Sequence, residues 1–216
     1  MVKVLSEQNS ILNKFIEEIR DVEIQKDSLR FRLNLERIGE IFAYEISKEL
    51  EYETKLVKTP LGETDINSLV NNVVLATVLR AGLPFHQGFL NYFDDAKNVF
   101  IGSYRKYHKD NTFEIKSGYY SGPSVDDQFV ILSDPMLASG ASMVLAYKDI
   151  AAGKMPRHTH IVSIIAAKEG IEYIRKNLSD ERITIWVGAI DDELTAKSYI
   201  VPGLGDAGDL AFGDKM

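Results

Sequence analysis

Residues 129–142 read FVILSDPMLASGAS and contain the three parts of a ligand-binding turn in an α/β protein. The apolar run Phe129–Ser133 predicts a strand, Asp134 follows at its carboxyl end, and small residues lead into a helix predicted at 143–152. Ligands of open α/β sheets bind beyond the carboxyl ends of strands, and the first turn of a helix offers unpaired N–H groups to a phosphate. The stretch therefore predicts a site for a phosphate and a hydroxylated sugar. The alternative is an ordinary turn in which Ser142 caps the helix.

Short apolar runs rich in β-branched residues predict further strands, and their continuous hydrophobicity is typical of strands buried on both faces of a parallel sheet. With the run before Asp134 they are residues 73–79, 98–104, 128–133, 160–165 and 183–187. Helical patterns lie at 143–152 and 168–178, and an earlier helix shows one apolar face at Leu35, Ile38, Phe42, Ile46 and Leu50. We predict an α/β fold with a mostly parallel, doubly wound sheet flanked by helices. It forms one domain over residues 1–216, with an N-terminal helical segment, 1–55, packed on the core.

Residues 105–127 depart from this alternation. Residues 105–111 are strongly polar, and residues 121–124 form a turn cluster. Because residues 112–120 include strand-forming side chains, we expect a β-hairpin or flexible loop that projects from the sheet edge and could cover a ligand. A solvated surface excursion is the alternative.

Composition excludes several classes of function. The 216 residues carry a formal net charge of −7, which argues against a nucleic-acid partner. The absence of cysteine excludes a disulfide framework, a thiolate nucleophile and a cysteine zinc site. The N-terminus lacks the pattern of a signal peptide, and no segment approaches the roughly 20 apolar residues of a membrane span. We therefore expect a soluble cytoplasmic protein with no membrane partner.

Four segments resemble the uracil phosphoribosyltransferases, a family of the type I phosphoribosyltransferases. Residues 134–142 (DPMLASGAS, the phosphate turn) resemble the family's phosphoribosyl diphosphate loop, and residues 199–209 (YIVPGLGDAGD, the base loop) its uracil loop. Residues 78–83 (VLRAGL) and 102–105 (GSYR) resemble two further elements, and all four occur in the family's order. The resemblance implies the type I phosphoribosyltransferase fold with a small hood. It also implies transfer of phosphoribose from phosphoribosyl diphosphate to uracil, which gives UMP and diphosphate.

The resemblance further implies roles for individual residues. Arg80 and Arg105 would contact the diphosphate, Asp134 would bind the ribose hydroxyls directly or through Mg²⁺, and Asp206 would orient the base or accept its proton. Arg105, Asp134 and Asp206 are the expected catalytic residues, and Asp206 also contacts phosphoribosyl diphosphate. The rest of that substrate's site comprises Pro135, Met136, Leu137, Ala138, Ser139, Gly140, Ala141 and Ser142.

The base loop is expected to bind uracil through Asp206 and the backbone groups of Ile200, Gly205 and Ala207. Cytosine would present an amino group in place of O4 and leave a backbone group unpaired. Mg²⁺ would arrive with the diphosphate, so no metal site made by the protein is expected. The resemblance also implies a homodimer or larger assembly and, in some members of the family, activation by GTP.

The chain departs from the family's pattern at four positions, and at one of them, Ser139 in place of threonine, the hydroxyl is kept. Ala141 replaces a glycine of the phosphate turn; its Cβ is harmless at negative φ and would crowd the 5′-phosphate at positive φ. Leu210 replaces a basic residue and Asp214 a threonine, which could alter a subunit contact. Two other functions stay open, namely a non-catalytic protein that senses phosphoribosyl diphosphate or a nucleotide on the same fold, and a phosphoribosyltransferase for another base.

Two pairs of residues are weaker candidates. Asp191 and Asp192 resemble paired acid–base carboxylates, but adjacent residues at a strand end point in opposite directions. Asp191 aligns with an acid of the family and could support the site from behind. His158 and His160 have the spacing of metal ligands without an evident third ligand, so we favour a structural role for them.

Overall fold

The computed structural model describes residues 1–70, 72–107, 113–178 and 180–214, and gives only the backbone of residues 103–107 and 113–117. The helices are α1 (Ile11–Arg20), α2 (Ser28–Ser47), α3 (Gly82–Leu90), α4 (Ala141–Ile150), α5 (Lys168–Asn177) and α6 (Ala207–Phe212). The strands are β1 (Val2–Val4), β2 (Tyr52–Thr59), β3 (Gly62–Leu69), β4 (Val73–Leu79), β5 (Lys97–Tyr107), β6 (Phe113–Ser121), β7 (Phe129–Ser133), β8 (Met136–Leu137), β9 (His158–Ala167), β10 (Ile183–Asp191), β11 (Glu193–Leu194) and β12 (Ile200–Val201).

The main sheet has the strand order β1-β10-β9-β7-β4-β5-β6, and β8 pairs with β9. Its neighbours are parallel except β5 and β6, which form an antiparallel pair at one edge. The prediction of a mostly parallel sheet in an α/β protein is therefore confirmed. The predicted hairpin is confirmed as the β5–β6 pair, and the five predicted strands correspond to β4, β5, β7, β9 and β10.

Helices cover both faces of this sheet, which confirms the doubly wound arrangement. Alternate side chains of β4 point to opposite faces, so Val73 and Leu75 join one hydrophobic core while Val74 and Ala76 join the other. The first core includes buried side chains of α1, α2, α3 and α6. The second includes buried side chains of α4 and α5.

The two N-terminal helices start at side chains that cap them. Ser10 accepts a hydrogen bond from the Leu12 N–H at the start of α1, and Asp27 accepts two from backbone N–H groups at the start of α2. Such caps satisfy N–H groups that have no partner inside the helix. No helix in the described part of the chain is long and apolar enough to cross a membrane.

The prediction of a helical segment over residues 1–55 is wrong at both of its ends. Residues Val2–Val4 form β1 beside β10, and Tyr52 begins β2, which pairs with β3 in a separate two-stranded sheet. A strand of three residues is too short to show a period of its own. The β2–β3 hairpin is largely exposed on both faces, so its sequence shows no alternation of apolar and polar residues.

Helix α3 was also not predicted, because Gly82, Pro84 and Gly88 weigh against a helix in sequence. Pro84 lies in the first turn, where its missing N–H removes no helical hydrogen bond. Gly88 permits close packing, since a Cβ there would lie 2.1 Å from the Glu36 carbonyl oxygen of α2.

Candidate functional site

A cavity of about 580 Å³ opens at the carboxyl ends of β4 and β7. Segments that are far apart in sequence line it, namely residues 78–81, 134, 136–140, 142–143, 198–200 and 205–208. Arg80, Asp134, most of the phosphate turn and the central part of the base loop therefore share one site. Pro135 and Ala141 of the predicted set do not line the cavity.

The phosphate turn passes from β7 into α4 through Gly140, whose φ of 79° is left-handed. A Cβ at this position would lie 2.7 Å from the carbonyl oxygen of Gly170, so conformation and packing both require glycine. Gly140 is the N-cap residue of α4, and no side chain caps that helix. The alternative in which Ser142 caps α4 is therefore wrong. Ser139, Gly140 and Ser142 all line the cavity beside the uncapped first turn.

Ala141 is the first residue of α4 and has a helical backbone. Among the described residues, the non-glycine residues with positive φ are Asp127 and Ser198. The left-handed residue of the phosphate turn is thus the preserved Gly140, and replacing the family's second glycine with Ala141 introduces no backbone strain.

Asp134 follows β7 directly and lines the cavity. Its backbone N–H donates to the Val162 carbonyl of β9, and its Oδ1 accepts the Met136 N–H at 3.1 Å. Pro135 is fixed as well, because its carbonyl accepts the N–H groups of Ile164 and Ile165. Burial raises the pKa of Asp134 to about 7, and the hydrogen bond from Met136 opposes this only in part. The result is a rigidly held carboxyl group that can accept hydrogen bonds from hydroxyls once it ionises.

Arg80 follows β4, and the Leu79–Arg80 peptide bond is cis. Its Nη2 donates to Asp209 Oδ1 at 2.9 Å and to the Gly213 carbonyl at 3.2 Å. Its Nε is buried and has no partner among the described residues. A guanidinium has five N–H donors, so Arg80 can keep these contacts and still bind an anion in the cavity.

The base loop contributes Ile200, Gly205, Asp206 and Ala207 to the cavity wall. Gly205 has a φ of 94° and is exposed, so its peptide groups are accessible. Asp206 Oδ1 accepts the N–H groups of Gly208 and Asp209 at 2.9 and 3.1 Å and so caps α6. Sequence reasoning gave Asp206 a role with the substrates and did not predict this cap.

Asp191 ends β10 outside the cavity wall and is held by Arg20, the last residue of α1. Arg20 donates to both carboxylate oxygens at 2.8 Å, and Asp191 Oδ2 also accepts the Gly203 N–H at 2.9 Å. Burial raises the pKa of Asp191, but the hydrogen bonds from Arg20 and Gly203 outweigh it and leave the pKa below its ordinary value. Asp192 forms an ion pair with Lys168 instead, which confirms that the two carboxylates diverge.

The remaining candidates lie elsewhere. Arg105 is on β5, and its side chain lies outside the described part of the structure, so its contact with the diphosphate stays a prediction. His158 Nε2 lies 2.9 Å from Thr184 Oγ1, and His160 Nδ1 accepts from the Trp186 indole at 3.0 Å. Neither histidine lines the cavity.

The two C-terminal departures from the family's pattern lie in and just after α6. Leu210 is partly buried against the first hydrophobic core, and Asp214 is exposed. Two cavity residues, Ser198 and Met143, lie outside the four segments recognised in the sequence, and so does Arg20 behind the base loop. Ser198 precedes the base loop, and Met143 follows the phosphate turn, so both adjoin motifs that were recognised.

Comparison with known proteins identifies the family of this chain. Residues 6–214 match the sequence model of the family described as uracil phosphoribosyltransferase. A uracil phosphoribosyltransferase of Porphyromonas gingivalis is 53% identical over 212 residues, which cover 98% of each chain. One from Pyrococcus furiosus is 37% identical over 213 residues, covering 97% of this chain and 89% of the relative.

Solved structures share the fold of this chain. A protein from Aquifex aeolicus has a TM-score of 0.87 at 30% identity, over 99% of this chain and 98% of that one. A hypoxanthine-guanine phosphoribosyltransferase from Bacillus anthracis has a TM-score of 0.50 at 16% identity, over 74% of this chain and 81% of that one. This likeness shows a shared fold. Sequence, fold and cavity agree that the chain belongs to the uracil phosphoribosyltransferase family.

Proposed function

We propose that this protein transfers phosphoribose from phosphoribosyl diphosphate to N1 of uracil, which yields UMP and diphosphate. The observation that carries the proposal is the shared cavity, which joins Arg80, Asp134, the phosphate turn and the base loop. Each element supplies groups for a different part of the two substrates.

The phosphate turn suits the 5′-phosphate of the sugar. The N-terminus of α4 has no side-chain cap, so its N–H groups and the positive end of the helix dipole are available to bind an anion. The hydroxyls of Ser139 and Ser142 add donors at the same wall. We expect Asp134, at the start of the turn, to accept hydrogen bonds from the ribose hydroxyls when it is ionised.

The base loop suits the polar edge of uracil. Ile200, Gly205 and Ala207 can offer backbone groups to uracil's carbonyl oxygens and its N–H. An unpaired backbone group against cytosine would disfavour that base, because a buried polar group without a partner is destabilising. The reaction therefore takes uracil in preference to cytosine.

Catalysis rests on position and charge. Positive charge develops on the ribose ring as diphosphate leaves, so the site has to hold uracil N1 in line and stabilise the charge on the leaving group. Arg80 supplies guanidinium donors for the diphosphate, and Arg105 would add a second cation. Asp206 is held by the N–H groups of Gly208 and Asp209 in the cavity wall, where it can orient the base or accept its proton.

Mg²⁺ fits this site as a companion of the diphosphate. The carboxylates that line the cavity are Asp134 and Asp206, and the described residues include no cluster of three or more potential metal ligands. Mg²⁺ keeps several waters and is commonly held by one or two carboxylates together with substrate phosphates. When bound it would neutralise charge on the diphosphate.

The proposal extends to assembly and regulation. Association into a homodimer or larger assembly is proposed from the resemblance to the family alone. Activation by GTP and a cytoplasmic location stay predictions from the sequence.

The test is to incubate the protein with Mg²⁺, phosphoribosyl diphosphate and labelled uracil and to measure labelled UMP. We expect UMP with uracil and little product with cytosine or hypoxanthine. An Asp134→Asn variant in the same assay controls for contaminating activity. Tight binding of phosphoribosyl diphosphate without UMP would favour the non-catalytic sensor, and product with another base in place of uracil would favour the other transferase.

A further inference from the structure

Arg20 joins three parts of the molecule that are remote in sequence. Its guanidinium leaves the end of α1, forms a two-pronged pair with Asp191 at the end of β10, and donates through Nη1 to the Gly203 carbonyl at 2.9 Å. The side chain of Asp191 is only 6% exposed and that of Arg20 22%, so solvent screens the pair less than an ordinary surface pair.

Both polar backbone atoms of Gly203 are engaged by this pair. Its N–H donates to Asp191 Oδ2 at 2.9 Å, while its carbonyl accepts from Arg20. Gly203 has a φ of 59°, and a Cβ there would lie 2.2 Å from the Ile200 carbonyl. The glycine peptide is therefore fixed in orientation by two hydrogen bonds and tightly packed against the start of the base loop.

A second contact from the same region supports the neighbouring residue. Gln25 lies after α1 and is buried, and with its amide oriented so that both polar atoms find partners it donates to the Leu204 carbonyl at 2.8 Å. The chain around α1 thus holds two successive residues of the base loop from the side away from the cavity.

Gly203 lies between the positions that are placed to read the base. Ile200 is three residues before it and Gly205 two residues after it, and both line the cavity, whereas Arg20 and Asp191 do not. If Gly203 rotated, the peptide groups on either side would move with it. Small displacements of substrate-positioning groups reduce rates strongly, because the reacting atoms lose their alignment.

We infer that Arg20 is a positioning residue for uracil, which acts through Asp191 and Gly203 to fix the backbone of the base loop. The inference rests on the proposed function, since it assigns the rigidity of the loop to recognition of the base. It predicts a defect confined to uracil, because the phosphate turn is hydrogen-bonded to β9 and Arg80 pairs with Asp209 in α6, beyond the part of the base loop that Arg20 holds.

The test compares Michaelis constants for the two substrates in Arg20→Gln, Asp191→Asn and Arg20→Lys. We expect the KM for uracil to rise about tenfold or more in the first two variants while the KM for phosphoribosyl diphosphate stays within about twofold. Arg20→Lys keeps a charge beside Asp191 but loses the planar guanidinium, which donates to both Asp191 and the Gly203 carbonyl. Its KM for uracil should therefore be intermediate. If Arg20→Gln does not fold, Asp191→Asn and Arg20→Lys decide the outcome.

Arg30→Gln is the matched control. Arg30 forms a similar two-pronged pair with Glu18, a buried carboxylate two residues before Arg20 on α1, and among the described residues it forms no hydrogen bond or ion pair with the base loop. This control should loosen α1 without changing the uracil KM. Equal rises for both substrates, or the same uracil KM in Arg20→Gln and Arg30→Gln, would show that Arg20 only stabilises the fold. A wild-type protein that makes no UMP would instead refute the proposed function itself.

Discussion

Asp134 and Asp191 both lie at the carboxyl end of a buried strand in the parallel sheet, but their surroundings are opposite. Asp191 has two hydrogen bonds from Arg20 and one from the Gly203 N–H. Among the described residues, the carboxyl group of Asp134 accepts one hydrogen bond, from the Met136 N–H, and forms no ion pair with a basic side chain. Their pKa values move apart accordingly, since that of Asp134 is raised to about 7 and that of Asp191 is lowered.

The two carboxylates therefore have different functions. Asp134 faces the cavity with its acceptor capacity largely unused, as a ligand-binding group requires, and this arrangement destabilises the ligand-free protein when the carboxylate ionises. Asp191 lies behind the cavity wall, and its acceptors are used to hold the base loop. One carboxylate is therefore available to the substrate, while the other stabilises the structure around it.

The largest expected effect concerns the activity of Asp134→Asn. The amide keeps the size of the side chain but loses the negative charge and one acceptor oxygen for the ribose hydroxyls. We expect turnover to fall roughly 100-fold or more, as for other losses of substrate positioning. Steady-state UMP formation at pH 8 measures this loss of turnover. A rate within threefold of the wild-type rate would show that Asp134 does not bind substrate and would contradict the contrast with Asp191.

The same variant should gain stability at high pH. The pKa of Asp134 in the folded protein lies above its value of 3.8 in the unfolded chain. The contribution of this group to the free energy of unfolding is therefore fully present below pH 3.8 and is lost as the pH rises through about 7. Asn cannot ionise, so Asp134→Asn should be more stable than the wild type at pH 8 by roughly 2–4 kcal/mol and nearly equal to it at pH 4. Urea unfolding without ligand and with a chelator tests this. A difference that does not change between the two pH values would contradict the raised pKa.

Asp191→Asn should change the stability of the fold in the opposite direction. The folded pKa of Asp191 is lowered, so the carboxylate stabilises the fold above its unfolded pKa of 3.8 and loses this effect as pH falls through the folded value. At pH 7 we expect the variant to be less stable by about 1–3 kcal/mol, because charge-assisted hydrogen bonds to Arg20 and Gly203 are weakened. Urea midpoints at pH 7 and pH 3 measure it. The deficit should shrink at pH 3, and a constant deficit would point to packing.

The smallest effect is expected at Ala141. Because Ala141 starts α4 with a helical backbone and lies outside the cavity wall, Ala141→Gly should leave the KM for phosphoribosyl diphosphate within about twofold. Glycine should also lower stability by roughly 0.5–1 kcal/mol, as it does within helices. A KM that falls severalfold would show that the methyl group does crowd the phosphate and that access to the turn limits binding as well.

The sequence predicted those parts of the molecule in which one contiguous segment contains the whole pattern. Strands β4 and β9 are long apolar runs, and the phosphate turn and the base loop are each contiguous motifs, so both the sheet and most of the cavity wall could be predicted. The β2–β3 hairpin was missed because it is exposed on both faces, and α3 because of its glycines and Pro84. Arg20 could not be found because its partner Asp191 lies 171 residues later and only the fold brings the two together.

The contact between Gly140 and Gly170 has a consequence for protein engineering. Gly170 lies in the first turn of α5, and a Cβ on it would be 2.2 Å from the Ala138 carbonyl, while a Cβ on Gly140 would be 2.7 Å from the Gly170 carbonyl. The phosphate turn and α5 thus meet backbone to backbone. A library that randomised α5 as an ordinary outer helix would inactivate the enzyme at Gly170, so distance from the ligand is a poor guide to which positions tolerate change.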